Sequence, residues 1–319
     1  MVIDEIYKNI LCLFNQYRYR DNNYIENLSY IYKRYYDLLK IEDKELADKV
    51  LSCSKNILAY INGEISGNEL FIENVPFFND VIKPRDFFFR SRTIAKTEKN
   101  YMAQNMFHIP LGYNKMQSGR YDGENKIRLY LSKSCFSCFS EVPETDDKDL
   151  MISLFKFDHT TLSQIVDLRL KSEIAFNQLN LVDKRKYMLC LPYILACMFI
   201  KKGALEYKFP QYVMSVLDYM DERLQKKHDG ERNNVFTPYI GLSYISVYFD
   251  DEVIRRENNE SLYDNYVFLA KCGRDNTGTS KLLSDMFVVT DPLRCQWDRK
   301  SNYREIEEKL QTEKLFKIQ

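Results

Sequence analysis

The hydrophobic pattern of the chain changes near residue 64, and this change limits the fold to one that combines helices with a sheet. Before that point three stripes of apolar side chains recur with the spacing of an amphipathic helix, over 3–14, 25–38 and 46–61. Gly63 follows the third stripe, where a glycine commonly ends a helix. The chain is therefore predicted to begin with a helical region.

Beyond this region, short β-rich runs separated by polar or Gly-containing turns predict a sheet. These runs are LFIENV (70–75), DFFFRSR (86–92), IRLYLS (127–132), LMISLFKF (150–157), YIGLSYISVYF (239–249), NYVFLA (265–270) and the segment 286–289. Further helices are predicted at 171–180, 187–201, 211–227 and 303–316. We expect an α+β fold in which a helical N-terminal region, 1–63, precedes one mixed-sheet domain over 64–319.

The charge balance of the chain argues against a nucleic-acid partner. Forty-six basic and forty-six acidic side chains cancel, so the broad positive surface of a nucleic-acid-binding protein is not expected. Apolar residues make up 45% of the chain and charged residues 29%, which is typical of a folded globular protein.

The cysteines and the longest apolar run indicate a cytoplasmic protein that does not enter a membrane. Only Cys135 and Cys138 form a Cys-x-x-Cys pair, and no second pair completes a zinc site, so no metal is expected. No signal peptide is recognised, and free thiols suit a reducing compartment. The apolar run 187–200 is shorter than the roughly 18–20 residues of a membrane span and contains Pro192, so it predicts a buried helix.

Polar side chains within the strand-like runs are the candidates for chemistry. Arg90 follows three phenylalanines, where a guanidinium is costly unless an anion or an acceptor meets it. A Gly-Arg-Tyr turn presents Arg120 and Tyr121, the next strand carries Tyr130, and Glu141 stands at the far end of a short predicted helix. Each residue alone is compatible with a structural ion pair, such as one between Arg90 and Glu141. Together they favour a ligand that bears phosphates and a ring.

The order and spacing of these residues resemble the RES domain family, which is named for its Arg, Glu and Ser. Arg120 and Tyr130 are 10 positions apart, and Tyr130 and Glu141 are 11 apart, as in the family. Later in the chain GLSYIS ends in Ser246 and NYVF begins at Asn265, which resembles the family's later pair of strands.

The resemblance covers roughly residues 85–270 and contains two departures. Asp122 follows the Gly-Arg-Tyr turn where the family usually has Asn. Arg92 also competes with Arg90 for the position of the first arginine, and we prefer Arg90 because it directly follows the phenylalanines.

RES proteins resemble ADP-ribosyltransferase-like enzymes and include bacterial toxins that consume NAD⁺. The resemblance therefore implies a RES/ADP-ribosyltransferase-like domain that takes NAD⁺ as its substrate and uses no metal. It implies cleavage of the nicotinamide–ribose bond by a glycohydrolase or phosphorylase that serves as a toxin or defence effector. A protein ADP-ribosyltransferase and a catalytically inactive nucleotide-binding or interaction module are the alternatives. A toxin implies a partner that restrains it, either an inhibitory antitoxin or a regulatory protein. The N-terminal helices could instead supply autoinhibition or contacts in a homo-oligomer.

The resemblance and the chemistry also assign roles to residues. A carboxylate stabilises the positive charge that develops on the ribose, and arginines suit the pyrophosphate. Catalytic roles are expected for Glu141, Arg120 and Tyr130, and ligand-binding roles for Arg90, Arg92, Tyr121, Ser246 and Asn265. His108 lies between apolar residues and is expected to be structural.

Overall fold

The fold is described from a computed structural model. The description covers residues 2–18, 23–70, 78–109, 119–122, 126–142, 145, 147–160, 163–199, 205–228, 239–257, 259, 261–270, 278–297 and 302–318. In chain order the elements are α1 (Val2–Tyr17), α2 (Tyr24–Glu42), α3 (Lys44–Asn62), α4 (Gly67–Leu70), β1 (Phe78–Ile82), β2 (Phe87–Ala95), α5 (Ala103–Met106), β3 (Arg128–Ser132), α6 (Cys135–Glu141), β4 (Lys148–Phe157), β5 (Ser163–Leu168), α7 (Glu173–Asn177), α8 (Leu181–Cys197), α9 (Leu205–His228), β6 (Tyr239–Ile245), α10 (Asp251–Glu257), β7 (Asp264–Leu269), α11 (Lys281–Met286), β8 (Phe287–Thr290), β9 (Leu293–Cys295), α12 (Tyr303–Thr312) and β10 (Leu315–Lys317).

The contacts within the chain group these elements into two units. The first, called the helical unit here, comprises residues 1–78, 119–123 and 167–216. The second, the sheet unit, comprises residues 79–118, 124–166 and 217–319. To the N-terminal helices, which the sequence predicted as a region of their own, the helical unit thus adds α7, α8, the part of α9 up to residue 216 and a short central segment.

Tyrosines of α2 hold the helical unit together by bonding to the main chain of α8. The buried hydroxyls of Tyr24, Tyr32 and Tyr35 donate to the carbonyls of Ala196, Pro192 and Met188 at 2.9, 2.6 and 2.7 Å. In an α-helix the carbonyl of residue 188 would accept from the N–H of residue 192, but proline has none. The Tyr35 hydroxyl therefore replaces the donor that Pro192 removes, and the proline sits within an unbroken, buried helix.

A sheet that has ten strands within the described residues forms the second unit. Its order is β1-β5-β6-β7-β3-β2-β4-β8-β10, with β9 paired to β4. The long antiparallel ladder between β2 and β4 runs from Phe87 opposite Lys156 to Ala95 opposite Lys148. β3 pairs with β7 and β7 with β6, again antiparallel. Gly241 lets β6 approach β7, since a Cβ at that position would lie 2.1 Å from the carbonyl oxygen of Val267.

The α+β class is confirmed, as are the three N-terminal helices and the end of α3 at Gly63, whose φ is 80°. The predicted buried helix at 187–200 corresponds to α8, and no helix among the described residues has the length and apolarity to cross a membrane. Of the strand predicted at 70–75, Leu70 belongs to α4 and the remainder lies outside the described residues. The helix predicted at 303–316 is wrong at its end, because 315–317 pair with β8 as a strand. The sequence did not predict β1, β5 or β9.

We predict that Tyr35→Phe lowers the free energy of unfolding by about 1–3 kcal/mol, because the buried Met188 carbonyl loses its donor. Pro192→Ala returns an N–H to the helix, so the cost of Tyr35→Phe should fall below about 1 kcal/mol in that background. Urea denaturation of the four proteins, followed by circular dichroism, measures the coupling.

Tyr24→Phe is the matched control, because its acceptor, the Ala196 carbonyl, does not depend on the missing N–H of Pro192. Its cost should be the same with and without Pro192→Ala. Equal costs of Tyr35→Phe in both backgrounds would contradict the proposed replacement of the helical donor.

Candidate functional site

A cavity of about 220 Å³ lies where β2 and β3 meet. In the described sheet these two strands are paired with each other only at Phe89 and Ser132. By contrast, β2 pairs with β4 and β3 pairs with β7 along their whole length. The described lining residues all belong to the sheet unit, and they are Phe89, Arg90, Ser91, Tyr130, Leu131, Ser132, Cys138, Glu141, Val142, Tyr244 and Asn265.

Arg90 bridges the two strands beyond their single pair. Continuing the ladder from Phe89 and Ser132 would place Arg90 opposite Leu131 and Ser91 opposite Tyr130. Instead the Arg90 guanidinium donates from Nη1 to the carbonyl of Tyr130 at 3.3 Å. The half-buried arginine thus supplies a side-chain donor to β3 and brings a positive charge to the cavity.

The short helix α6 carries Glu141 to the cavity and is anchored at its start. Ser134 is the N-cap: its hydroxyl oxygen accepts from the N–H of Ser137 at 3.0 Å and its hydroxyl donates to the carbonyl of Leu262 at 2.5 Å. The N–H of Cys135 donates to the carboxyl Oε1 of Glu307, on α12, at 2.7 Å. The prediction that Glu141 stands at the far end of a helix is confirmed.

The Asn265 side chain on β7 links Glu141 to two serines. Its Nδ2 donates to Glu141 Oε1 at 2.8 Å. Its Oδ1 accepts from the hydroxyls of Ser132 on β3 and Ser137 on α6, at 2.6 and 3.0 Å. Asn265 is buried, whereas Glu141 is exposed, so the carboxylate is fixed from the protein side and open to solvent.

Two tyrosines and a thiol complete the chemistry of the lining. Tyr130 on β3 and Tyr244 on β6 contribute aromatic rings. Burial raises the pKa of the Cys138 thiol to about 12, so this group stays protonated at neutral pH and does not act as a thiolate. The carbonyl of Cys138 accepts from the hydroxyl of Ser91 at 3.2 Å, which ties α6 to β2.

The structure brings Arg90, Tyr130, Glu141 and Asn265 together in this cavity, as the sequence pattern led us to expect. Ser91, Ser132 and Tyr244 also line it and were not singled out from the sequence. Ser132 ends the LYLS run, and Tyr244 lies two residues before Ser246 in the GLSYIS run. A search for polar and aromatic side chains on alternate positions of these strands would have found both.

Arg92 and Ser246 are not among the described lining residues. Arg92 donates from Nη2 to the carbonyl of Phe107 at 2.7 Å, and burial lowers its pKa. Ser246 follows the end of β6 and is fully buried. Its hydroxyl oxygen accepts from the N–H of Tyr248 at 3.1 Å, so it stabilises a turn.

Arg120 and Tyr121 belong to the helical unit and do not appear in the described lining. Arg120 donates from Nη1 to the carbonyls of Cys197 and Phe199, at 2.6 and 2.9 Å, where α8 ends. Its guanidinium also lies over the ring of Tyr207 at 5.3 Å. The carbonyls that end a helix lack helical donors and attract a cation, so these contacts satisfy the end of α8. Tyr121 is fully buried.

His108 is buried and hydrogen-bonded, as expected from its apolar neighbours. Its Nε2 accepts from the N–H of Ser280 at 2.8 Å, so Nδ1 carries the proton and donates to the carbonyl of Ile109 at 2.6 Å. Burial lowers the pKa of the imidazole, which therefore stays neutral. Among the described residues, no three His, Cys, Asp or Glu side chains form a group that could hold a metal ion.

Comparison with family models, with curated proteins and with solved structures returned no match.

We predict that Glu307→Gln changes how stability varies with pH. Burial raises the pKa of the Glu307 carboxyl from its ordinary value of 4.5 to about 6. Between these values the folded chain binds more protons than the unfolded chain. The contribution of the Glu307 carboxyl to the wild-type free energy of unfolding therefore falls as pH rises. Glutamine keeps an acceptor for the N–H of Cys135 and does not titrate. The stability of Glu307→Gln relative to wild type should therefore increase between pH 4.5 and 7, by on the order of 1 kcal/mol.

Urea denaturation across that pH range measures the difference between the two proteins. Glu305→Gln, which removes an exposed carboxyl from the same helix, is the control for the loss of one acidic side chain. Parallel stability curves for wild type and Glu307→Gln would show that the Glu307 carboxyl is not held in the buried environment described above.

Proposed function

We propose that the chain is a RES-type, ADP-ribosyltransferase-like enzyme that degrades NAD⁺ by cleaving the bond between nicotinamide and ribose. The observation that carries this proposal is the carboxylate of Glu141, held 2.8 Å from the Asn265 amide in a cavity that also contains Arg90 and Tyr130. The acceptor of the ADP-ribose is water in a glycohydrolase or inorganic phosphate in a phosphorylase.

The proposed chemistry uses Glu141 to stabilise charge. When the bond between ribose C1′ and the pyridinium nitrogen breaks, its electron pair leaves with nicotinamide, which becomes neutral. Positive charge then develops on the ribose in an oxocarbenium-like state, as in glycoside cleavage. A carboxylate close to that charge stabilises the transition state more than the ground state. An oxygen of water or phosphate then forms the new bond to C1′, and a proton is lost to solvent where water is the acceptor.

The remaining lining residues suit the other parts of the substrate. A volume of about 220 Å³ is below the roughly 300 Å³ at the lower end of small-molecule pockets, so we assign the cavity to the nicotinamide riboside end alone. The rings of Tyr130 and Tyr244 offer faces to the nicotinamide or the sugar. The guanidinium of Arg90 supplies positive charge for the phosphate that is bonded to this ribose, and the rest of the dinucleotide would lie outside the cavity.

An enzyme that consumes NAD⁺ without restraint would be harmful to its own cell. We therefore include in the proposal a role as a cytoplasmic toxin or defence effector, with an inhibitory protein as its partner. A protein ADP-ribosyltransferase and an inactive nucleotide-binding module are the outcomes that the following experiment distinguishes.

We predict that the purified protein releases nicotinamide from NAD⁺ and that Glu141→Gln lowers this rate at least about 100-fold, as loss of one electrostatic stabiliser commonly does. Chromatography of reactions with and without inorganic phosphate measures nicotinamide and identifies the second product. Glu305→Gln is the control for loss of an exposed carboxylate that is not among the described lining residues. Its rate of nicotinamide release should equal that of wild type.

Each outcome has a distinct meaning. No release from wild type, with or without phosphate, would contradict hydrolysis and phosphorolysis. Transfer of label from NAD⁺ to proteins of a lysate would then favour the transferase, and binding of NAD⁺ without any reaction would favour the inactive module.

We also predict that the two neighbouring arginines behave differently. Arg90→Lys should lower the rate of nicotinamide release about ten-fold or more, because a lysine keeps the charge but loses the planar fork that spans β2 and β3. Arg92→Lys should change the rate less than about three-fold, since Arg92 bonds the carbonyl of Phe107 rather than lining the cavity. A larger loss of activity in Arg92→Lys than in Arg90→Lys would reverse this assignment.

A further inference from the structure

The amide of Asn265 is hydrogen-bonded through both its oxygen and its nitrogen. The oxygen of a primary amide has two lone pairs, and two hydroxyls donate to it here, from Ser132 and Ser137. The nitrogen faces the carboxylate of Glu141. The two bonds from the serines are buried, so bulk water does not compete for them, whereas the bond to the exposed Glu141 is only partly buried.

The secondary structure explains how the four side chains meet. Ser132 on β3 is the register partner of Asn265 on β7, so both side chains lie on the same face of the sheet. Ser137 and Glu141 are four residues apart on α6, which places them on one side of that helix. The amide therefore joins two strands to the helix that carries the candidate catalytic carboxylate.

Rotation of the amide by half a turn would be costly. It would place Oδ1 against the carboxylate oxygen, so that two acceptors faced each other at the distance of a hydrogen bond. The serine hydroxyls would also lose the amide oxygen to which they donate. Without the two hydroxyls, only the bond to Glu141 would select the orientation of the amide.

We infer that Ser132 and Ser137 are positioning residues, which hold Asn265 with its nitrogen towards Glu141 and thereby fix the carboxylate in the cavity. The catalytic consequence rests on the proposed function, because it requires Glu141 to act on the substrate. The serines themselves need not touch the substrate, so their effect passes through Asn265.

A set of variants tests this dependence by kinetics. The double variant Ser132→Ala/Ser137→Ala should lower kcat for nicotinamide release about ten-fold and change KM less than about three-fold, because loss of one oriented hydrogen bond is of that size. Asn265→Ala should lower kcat at least as much. Adding both serine changes to Asn265→Ala should have no further effect, since the residue through which they act is gone. Ser163→Ala, a buried serine on β5, is the control and should keep the wild-type kcat.

A second readout does not depend on activity. With protein labelled uniformly with ¹³C and ¹⁵N, the side-chain NH₂ signals of Asn265 can be linked through its Cβ to its assigned backbone signals, so no Asn265 variant needs to fold. Ser132→Ala, Ser137→Ala and Glu141→Gln should each move these signals, whereas Ser163→Ala should leave them in place.

The outcomes separate the inference from the proposed function. If wild type releases no nicotinamide but the serine variants move the Asn265 signals, the proposed function fails and the positioning of the amide stands. If wild type is active but the serine changes leave kcat unaltered, or lower it further in Asn265→Ala, the inference is overturned and the proposed function stands. Asn265 signals that do not respond to the serine variants also overturn it.

Discussion

The single pair between β2 and β3 is the constraint on which the candidate site depends. β2 is joined to β4 along nine residues and β3 to β7 along five, yet in the described sheet β2 and β3 meet only at Phe89 and Ser132. Main-chain groups beyond that pair must find other partners, because a buried unsatisfied carbonyl is costly. Arg90 provides one by donating to Tyr130. The scarcity of pairing between β2 and β3 therefore leaves space for a ligand and brings the Arg90 guanidinium to that space.

The position of Glu141 is set by tertiary contacts rather than by the propensity of α6. A seven-residue helix is not stable by itself in water. Here Glu307 and Ser134 satisfy groups at its start, Ser91 bonds the carbonyl of Cys138, and Asn265 bonds the carboxylate at its end. The helix is fixed at both ends, so the carboxylate can be solvent-exposed and still hold a defined place.

Periodicity and turn chemistry predicted the elements that bury one clear face, such as α1 to α3, but not the elements whose secondary structure depends on their neighbours in the sheet. β5 reads SQIVDL and β10 is only three residues long, so neither shows a clear alternation of apolar and polar side chains. Each becomes a strand by pairing with its neighbours in the sheet. The same limit applies to the site. Arg120 has its acceptors nearly eighty residues further on, at the carbonyls that end α8. No local pattern reveals them.

The number of carboxylates in the cavity bears on the class of substrate. Glycoside hydrolases commonly need two, because an alkoxide leaving group must be protonated while the sugar is stabilised or attacked. The described lining contains one carboxylate, Glu141, and the nearby Cys138 thiol, with a pKa of about 12, is too weak an acid to replace a second. Nicotinamide leaves NAD⁺ as a neutral base and needs no proton. The fixed carboxylate, the arginine and the two aromatic rings of the described lining are the groups that the proposed cleavage of a pyridinium N-glycoside would use.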